Sequence, residues 1–534
     1  MARENNAVKL RRELLFRIAR LMLENRLEAG IDGLPFETTR DGWDIMRCCV
    51  HHDRALIRLR LLGMLGFSAE KMSDVERPLR EYAAEAMEAG RQEAFPLTMI
   101  TEACNSCATT RYLVTDACQG CFARPCKTGC PRNAVSVEDD RSHIDPERCV
   151  NCGLCEKACP FHAIIKVPVP CEETCPVGAI RKGDEGTAAI DEEKCILCGR
   201  CVNSCPFGAP VEKSEIVRVM AAIGEKKHVT AIVAPAAMAQ FPFSAGQFAA
   251  SLLRLGFAEV MEAAEAADLV AAEEAKELAG RFSEGDGFLA TSCCPSWTRA
   301  ARSIPAMAGH VSDTPSPMII AGLLAKKRNP EAFTVFIGPC VAKKWEARKA
   351  SGSAGSGSGA TAAEALNGGA DGIGPDGIGA KAIDAVLTSE EVGAMLIAAS
   401  TQVNEEREIA LSGASPLGRG FGASSGVAAA VTHELAKLAE AGTSVPDVET
   451  VVVSGLTKEN LAVIAAMKPR PKGKATLLEV MACEGGCVNG PCSIASAKSA
   501  KVFLEKYKFS GDGLVGGAGL VGGAGLIGGA GRAG

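Results

Sequence analysis

The sequence predicts an α/β domain with parallel strands, preceded by two small α+β units and a helical N-terminal region. Three observations support this prediction. Strand-like and helix-like stretches alternate in the last part, where VTAIVAPAA precedes SAGQFAASLLRLGF. In the middle, sixteen of the 24 cysteines lie between Cys104 and Cys205. Near the start, apolar residues recur at helical spacing, namely Leu14, Leu15, Ile18, Leu21 and Met22.

The domain boundaries follow from these changes in pattern. We predict a helical region over 1–100, the small units over 101–165 and 166–210, and the α/β domain over 211–510. Residues 351–380, rich in Gly, Ser and Ala, are expected to form a flexible insertion in that domain. The glycine-dominated tail at 511–534 is expected to be disordered.

The composition indicates metal binding rather than disulfides. The chain has 534 residues, of which 47% are hydrophobic, so packed cores are expected. A net charge of −6 gives no reason to expect nucleic acid or an anionic membrane as partner. No signal peptide or apolar run long enough to span a membrane is apparent. We therefore expect a cytoplasmic protein with reduced thiols, in which 24 cysteines call for metal.

The N-terminal region contains two cysteines apart from the rest, Cys48 and Cys49, followed by His51 and His52. These residue types could bind a metal ion. Adjacent cysteines chelate one ion poorly, however, so we expect buried or incidental thiols here.

Two runs in the middle of the chain have the form C-x2-C-x2-C-x3-C-P, beginning at Cys149 and at Cys195. This is the bacterial ferredoxin signature, in which three thiolates hold one 4Fe-4S cluster and the fourth ligates another. The surrounding sequence repeats as well, because HIDPERCVNCGLCEKACPFHAI resembles AIDEEKCILCGRCVNSCPFGAP 46 residues later. We therefore predict tandem ferredoxin-like units.

The spacing assigns sixteen cysteines to four accessory 4Fe-4S clusters. Three sites follow directly from the signature: site 1 (Cys118, Cys121, Cys126, Cys159), site 2 (Cys130, Cys149, Cys152, Cys155) and site 4 (Cys175, Cys195, Cys198, Cys201). The remaining site has only two signature ligands, because Ala163 and Lys166 stand where a cysteine pair is expected. We hypothesise that the upstream pair completes it as site 3 (Cys104, Cys107, Cys171, Cys205).

A zinc ribbon is the competing interpretation of the upstream pair. Two C-x2-C pairs suit zinc, and they would be Cys104, Cys107, Cys118 and Cys121. That arrangement would leave Cys126, Cys171 and Cys205 without partners, so it is the less favoured one. Several clusters in a row are typical of a chain that conducts electrons. The long segment after Cys205 is larger than a simple electron carrier needs, so we expect a further site there.

Three separated motifs carry all six cysteines of the α/β domain: TSCCPSW (Thr291–Trp297), GPCVAKKWE (338–346) and EVMACEGGCVNGPC (479–492). Two of them follow apolar strand-like runs, FTVFI and LLEVM. The thiolates are therefore expected at strand ends, where α/β proteins usually place their sites.

These motifs resemble the H-cluster signatures of iron-iron (FeFe) hydrogenases, together with VAPAA, IDAVLTSEE and GFGASSGVAAA. The ferredoxin-like segment resembles the electron-input domains of that family. The resemblance implies an H-cluster, which is a 4Fe-4S cubane joined to a diiron unit with CO, cyanide and azadithiolate. It implies four cubane ligands, with the last also bridging to the diiron unit: Cys294, Cys340, Cys483 and Cys487.

The resemblance also implies roles around the diiron unit. Cys293 would exchange protons with the azadithiolate amine, while Lys343, paired with Glu346, would donate to a cyanide. Ala234, Pro235 and Met481 would line the diiron pocket. The backbone near Ala234 and Pro235 would donate a hydrogen bond to the other cyanide. A proton route would run outward through Glu274, Ser312 and Glu277. An inert buried thiol and solvated carboxylates are the plain alternatives.

The sequence departs from the family pattern at several positions, which indicates a divergent member. Gly338 stands where methionine is usual, Met318 replaces a common glutamine, and Ala236 replaces a serine. The last motif ends in Gly490-Pro491-Cys492 instead of a glycine run.

By resemblance, the expected activity is the reversible reaction 2H⁺ + 2e⁻ ⇌ H₂. The expected partners are a ferredoxin or similar electron carrier and the hydrogenase maturation proteins. One alternative is a low-turnover H₂ or redox sensor with the same cofactor. Another is a hydrogenase-like iron-sulfur assembly protein without the diiron unit, which the retention of Cys293 and Lys343 argues against.

Overall fold

A computed structural model describes most of the chain. The described residues are 5–40, 48–69, 77–88, 93, 95–104, 107, 111–183, 186–350, 381–411, 413–467 and 474–510. The predicted insertion at 351–380 and the tail at 511–534 lie outside them. Within these ranges, no helix is both long and apolar enough to cross a membrane.

The N-terminal region is helical, as its periodicity predicts. Its helices are α1 (Asn6–Leu23), α2 (Leu27–Gly30), α3 (Leu34–Arg40), α4 (Val50–Met64) and α5 (Leu79–Met87). The Asn5 side chain accepts a hydrogen bond from the Val8 N–H and caps α1. The buried face of α1, which includes Leu14 and Ile18, packs into the same core as the α/β domain.

The region predicted to be helical ends instead in a strand, β1 (Leu97–Met99), which pairs antiparallel with β8 (Pro210–Glu212). Leu97 and Met99 are buried, so the pairing satisfies backbone groups that would otherwise lack partners in the core. The two ends of the cysteine-rich segment therefore lie side by side.

Short hairpins and helices build the cysteine-rich segment. The strands are β2 (Arg111–Val114), β3 (Val135–Glu138), β4 (Arg141–Ile144), β5 (Ile164–Val167), β6 (Ile180–Lys182) and β7 (Ala188–Ile190). The helices are α6 (Thr101–Cys104), α7 (Pro125–Thr128), α8 (Leu154–Ala158), α9 (Pro170–Thr174) and α10 (Arg200–Ser204). Strand β2 pairs with β5, β3 with β4, and β6 with β7, all antiparallel. Lys166 and Val167 thus belong to the sheet of the first unit, beyond the boundary predicted at 165.

Two parallel sheets form the framework of the last domain, as the alternation of strands and helices predicts. Their strands are β9 (Val229–Val233), β10 (Glu259–Glu262), β11 (Phe288–Ala290), β12 (Phe333–Ile337), β13 (Ala385–Leu387), β14 (Asp447–Ser454) and β15 (Lys474–Met481). The strand orders are β10-β9-β12-β13 and β11-β15-β14. Strand β9 is buried along its whole length, as expected where helices cover a parallel sheet.

Helices connect and cover these strands. They are α11 (Ile216–Gly224), α12 (Pro235–Met238), α13 (Ala245–Arg254), α14 (Ala263–Ser283), α15 (Pro295–Ala301), α16 (Pro317–Arg328), α17 (Ala342–Ala350), α18 (Ser389–Ala398), α19 (Pro416–Gly420), α20 (Gly426–Glu440), α21 (Lys458–Ala465) and α22 (Ala497–Lys508). The carboxyl ends of β9, β11, β12 and β15 lead directly into the loops that carry the predicted site residues.

Candidate functional site

A cavity with an empty volume of about 880 Å³ lies where the parallel strands end. We call it the catalytic cavity. All four thiols expected to hold a cubane line it, although they lie far apart in the sequence: Cys294, Cys340, Cys483 and Cys487. Five of the residues expected around a diiron unit line it too: Ala234, Pro235, Cys293, Lys343 and Met481. The fold thus brings together residues that the sequence assigned to one site.

Backbone geometry places the four thiols. Cys294 is the N-cap of α15, with Pro295 as the first helical residue, and Cys340 lies two residues before the start of α17. Cys487 follows Gly486, whose φ of 103° only glycine adopts readily. A Cβ on Gly486 would lie 2.5 Å from the Ser424 backbone nitrogen, so this close approach also requires glycine.

Cys294 is buried and the other three thiols are half-buried where they border the cavity. Removal from bulk water raises the pKa of each of the four, that of Cys340 to about 11. They are neutral thiols at pH 7 until a metal displaces their protons. Four soft sulfur ligands around one cavity suit iron-sulfur chemistry better than hard cations. The residues present therefore fit a 4Fe-4S cubane.

Lys343 lies at the wall of the catalytic cavity with its ammonium held from three sides. Its Nζ donates to Glu346 Oε2 at 2.7 Å, to Ser316 Oγ at 2.9 Å and to the Cys293 carbonyl at 3.2 Å. Burial lowers the pKa of Lys343, but the Glu346 carboxylate outweighs it and raises the pKa overall. A fixed cation therefore faces the space next to the four thiols.

The expected backbone donor near Ala234 needs a correction. The Ala234 N–H donates to the Ile337 carbonyl at 2.9 Å, where it extends the pairing of β9 with β12, and Pro235 has no N–H. Ala236 is the second residue of α12, and the first N–H groups of a helix have no partner within it. Ala236 lines the cavity, so its N–H is the candidate backbone donor near Ala234, as the proline at the first helical position could have indicated.

The Gly338 departure has a structural explanation. A Cβ at this position would lie 2.9 Å from Cε1 of Phe336, a ring that itself lines the cavity. The ring of Phe336 thus occupies the space that a long side chain at 338 would need. Met318 lines the same cavity.

Glu274 is the buried carboxylate nearest to Cys293 on the expected proton route. Its Oε1 accepts hydrogen bonds from the Ser292 N–H at 3.0 Å and the Ser292 hydroxyl at 3.3 Å. Among the described residues, Oε2 has no hydrogen-bond partner although it is fully buried. Burial raises the pKa of Glu274 to about 7. Sequence reasoning missed Ser292, which precedes Cys293 in the TSCC motif.

The outer part of the expected route reaches the surface. The Ser312 hydroxyl donates to Glu277 Oε2 at 2.6 Å, and Arg281 Nη2 lies 2.7 Å from Glu277 Oε1. The Glu274 side chain is wholly buried, whereas that of Glu277 is 19% exposed. Arg281 is a residue that sequence reasoning missed, although its spacing of four from Glu277 on α14 favours an ion pair.

Two smaller cavities lie among the predicted accessory thiols. The four cysteines of site 1 line one of about 360 Å³, and those of site 2 line one of about 340 Å³. Cys118 and Cys121 therefore lie with Cys126 and Cys159, not with Cys104 and Cys107 as a zinc ribbon would require. Within the described residues, no three His, Cys, Asp or Glu side chains are placed to hold a single metal ion.

The thiols of sites 3 and 4 are grouped as well. Cys104, Cys171 and Cys205 belong to one buried cluster, and Cys107 packs against it. Burial first, and then the charges of these neighbours, raise the pKa of Cys171 to about 12. Burial and the charges of Cys198 and Cys175 likewise raise the pKa of Cys195 to about 12. Cys198 of site 4 also lines the catalytic cavity, so this site adjoins the four catalytic thiols.

The three cysteines without an expected role lie elsewhere. Cys492 is buried, and its thiol donates to Glu212 Oε2 at 2.7 Å. Cys48 and Cys49 are exposed, so of the two expected alternatives, buried or incidental thiols, the first is wrong for both. They precede α4 at the surface, where no core residue covers them.

Comparisons with known proteins match both cysteine-containing parts of the chain to known families. The family described as "Iron only hydrogenase large subunit, C-terminal domain" matches residues 227–491, and the 4Fe-4S binding domain matches 142–165 and 188–211. Iron hydrogenase 1 of Clostridium pasteurianum is 30% identical over 422 residues, which cover 69% of this chain and 68% of that protein.

Two further relatives are less similar. The NADP-reducing hydrogenase subunit HndD of Solidesulfovibrio fructosivorans is 27% identical over 288 residues, covering 46% of this chain and 45% of that protein. The structure of apo FeFe-hydrogenase HydA1 from Chlamydomonas reinhardtii is 22% identical, covers 54% of this chain and 88% of that one, and has a TM-score of 0.40. On the strength of the family model and the clostridial relative, this chain belongs to the iron-only hydrogenase family, as a divergent member with ferredoxin-like cluster motifs.

Proposed function

We propose that this chain catalyses 2H⁺ + 2e⁻ ⇌ H₂ at an H-cluster held by Cys294, Cys340, Cys483 and Cys487. The observation that carries the proposal is the catalytic cavity. These four thiols line about 880 Å³ of empty volume, more than twice the 340–360 Å³ beside sites 1 and 2. The additional space, next to Cys293 and Lys343, suits a diiron unit attached to the cubane.

When bound, the H-cluster supplies the iron chemistry that exchanges electrons and protons with H₂. The chain supplies binding and orientation. The Lys343 ammonium and the Ala236 N–H would donate hydrogen bonds to the two cyanide ligands, which holds the diiron unit in place. Apolar walls formed by Phe336, Met318 and Met481 exclude bulk water from the cavity.

Protons would travel between the cavity and the surface through Cys293, Glu274, Ser312, Glu277 and Arg281. A carboxyl group with a pKa near 7 takes up and releases protons at neutral pH, and Glu274 has such a pKa. Its unpartnered Oε2 is available to accept a proton from the Cys293 side. Ser312 and Glu277, joined by a hydrogen bond at 2.6 Å, would carry the proton over the outer part of the route.

Electrons would pass through four accessory 4Fe-4S clusters in tandem ferredoxin-like units. Site 4 would hand them to the cubane, because Cys198 lines the catalytic cavity. A ferredoxin-type carrier would supply them, and maturation proteins would insert the diiron unit. Iron quantitation on Cys104→Ala tests site 3: loss of four irons is expected, and loss of one zinc would contradict the assignment.

Infrared spectroscopy of the anaerobically matured protein tests the proposed function. Bands of CO and cyanide are expected in the region free of protein absorption, and Cys487→Ser should lose them because it removes the bridge between the two parts of the cofactor. If the matured wild-type protein shows no such bands, the proposal is wrong. A low-turnover sensor would show the bands but evolve little H₂ from reduced viologen.

A further inference from the structure

Two adjacent thiols, Cys48 and Cys49, stand at the surface and belong to none of the proposed cluster sites. The structure describes all 24 cysteines, and only Cys48, Cys49 and Cys152 among them are exposed. Cys152 is a proposed ligand of site 2. In a protein with all its clusters bound, the adjacent pair would thus remain accessible to small molecules in solution.

The pair has a chemical setting that favours the thiolate. Cys49 is the residue directly before α4, where unsatisfied N–H groups and the helix dipole favour negative charge. The His52 backbone N–H, followed by the Cys48 thiol and the His51 N–H, lowers the pKa of Cys49. The Cys48 sulfur lies 3.9 Å from that of Cys49 and 3.3 Å from Nδ1 of His52.

We propose that Cys49 is a thiol–disulfide exchange site for a low-molecular-weight disulfide such as glutathione disulfide. The Cys49 thiolate attacks one sulfur, the S–S bond of the small molecule breaks, and a mixed disulfide forms on Cys49. The other half leaves as a thiolate and takes a proton from water. The small disulfide is the only oxidant in this step. The inference does not depend on the proposed hydrogenase activity.

The mixed disulfide is the expected end product. Consecutive Cα atoms are about 3.8 Å apart, whereas disulfides usually need about 4.4–6.8 Å between them. Closure of a Cys48–Cys49 disulfide would therefore require the backbone before α4 to move. Metal capture is the other chemistry of two thiols and an imidazole, but no metal-holding group of three such side chains occurs in the described chain.

Mass spectrometry of the cluster-loaded protein tests the proposal. The anaerobic protein is mixed with glutathione disulfide at pH 7, and the cysteine peptides are followed over time. We expect the adduct on Cys49 in the wild type and in Cys48→Ser, and its loss in Cys49→Ser. We expect Cys49 to be modified faster than Cys48, because the N–H groups at the start of α4 favour the Cys49 thiolate.

Three results would overturn the proposal: no adduct on Cys49, equal or faster modification of Cys48, or rapid conversion to a Cys48–Cys49 disulfide. Both serine variants change exposed side chains, and circular dichroism checks that they fold. A Zn²⁺ titration of the wild type is the control for metal capture. Tight binding of Zn²⁺ that protects Cys49 from the disulfide would also reject the exchange site.

Discussion

Cys293 is the residue whose side chain connects the catalytic cavity to the proposed proton route. It lines the cavity, and the Glu274 charge acts on it. Cys293→Ala should lower H₂ evolution from reduced viologen about 10²–10⁴-fold, the usual effect of losing a general acid or base. The infrared bands should persist, because no cubane ligand is changed. Cys48→Ser is the matched control and should keep full activity.

Full activity in Cys293→Ala would remove the thiol from the route. Loss of the infrared bands would instead show that Cys293 is needed to hold the cofactor.

Glu274 makes the stability of the protein depend on pH. Its pKa is raised from 4.5 to about 7 in the folded chain, so the folded state holds a proton that the unfolded state has released. The free energy of unfolding should therefore fall as the pH rises from 4.5 to 7, by up to about 1.4 kcal/mol per pH unit from this group. Glu274→Gln should remove this contribution, as measured by urea unfolding of the metal-free protein at pH 5 and pH 7. An unchanged difference between the two pH values in the variant would place the pKa of Glu274 near its ordinary value.

At the residue scale, the sequence predicted which side chains meet but not how their backbones are engaged. Motif spacing indicated the accessory cysteines, whereas the resemblance to a known family implied Lys343 and the four thiols of the catalytic cavity. The hydrogen bond from the Ala234 N–H to the Ile337 carbonyl depends on the pairing of β9 with β12. These strands are about 100 residues apart, so no local sequence pattern predicts their pairing. Ser292 and Arg281 were missed for a similar reason, since serine and arginine are common on any surface.

Among the elements, α8 and α10 share a glycine before their first residue, at equivalent positions of the sequence repeat. Each begins after a glycine with positive φ, Gly153 at 77° and Gly199 at 71°. A Cβ on Gly199 would lie 2.6 Å from the Pro491 ring, where site 4 meets the loop that follows Cys487. A Cβ on Gly153 would lie 2.8 Å from the Tyr112 hydroxyl, which is the end of a longer side chain.

Gly199→Ala should therefore destabilise the protein more than Gly153→Ala does. The left-handed backbone costs about 1–2 kcal/mol in both variants. Crowding against Pro491 should add about 1–3 kcal/mol in Gly199→Ala, as in other overpacked sites. Urea unfolding of the two variants measures the difference. Equal losses of unfolding free energy in the two variants would mean that the loop with Pro491 shifts to make room for the added Cβ at little cost.

Comparing the observed elements with the sequence predictions shows which elements their hydrophobic patterns could predict. Strands β9, β12 and β15 and helix α13 were all apparent as apolar runs or periodic stretches. The pairing of β1 with β8 was not, because three residues carry little pattern and their partner lies more than 100 residues away. The predicted boundaries at 100 and 165 fall next to β1 and within β5 for this reason.

For the whole molecule, a buried ionic network ties the three parts of the chain together. Lys344 is fully buried and pairs with Glu212 of β8 and, at 3.2 Å, with Glu391 of α18. From α1, Arg11 reaches the neighbouring carboxylate of Glu390 at 2.6 Å. The network thus joins the N-terminal region, the end of the cluster segment and the helix that follows Cys340.

Lys344→Met should cost about 3–5 kcal/mol of unfolding free energy, because it leaves two buried carboxylates without their cation. Arg20→Met is the matched control. Arg20 pairs with Glu24 at 3.0 Å, but its side chain is 63% exposed, so the loss should be below about 1 kcal/mol. Urea unfolding of the metal-free protein measures both variants. A loss under 1 kcal/mol in Lys344→Met would mean that the carboxylates become protonated or reach water.

The pairing of β1 with β8 brings the two ends of the cluster segment together, although the second unit of the segment also packs against the α/β domain. Residues 100–209 leave and re-enter the molecule between two adjacent strands, while the N-terminal helices share a core with the α/β domain. A gene could therefore lose or exchange this segment by one cut at each end, with a short turn joining the strands. The electron-transfer segment of a hydrogenase could in this way differ between lineages, while the catalytic cavity and its supporting helices stay the same.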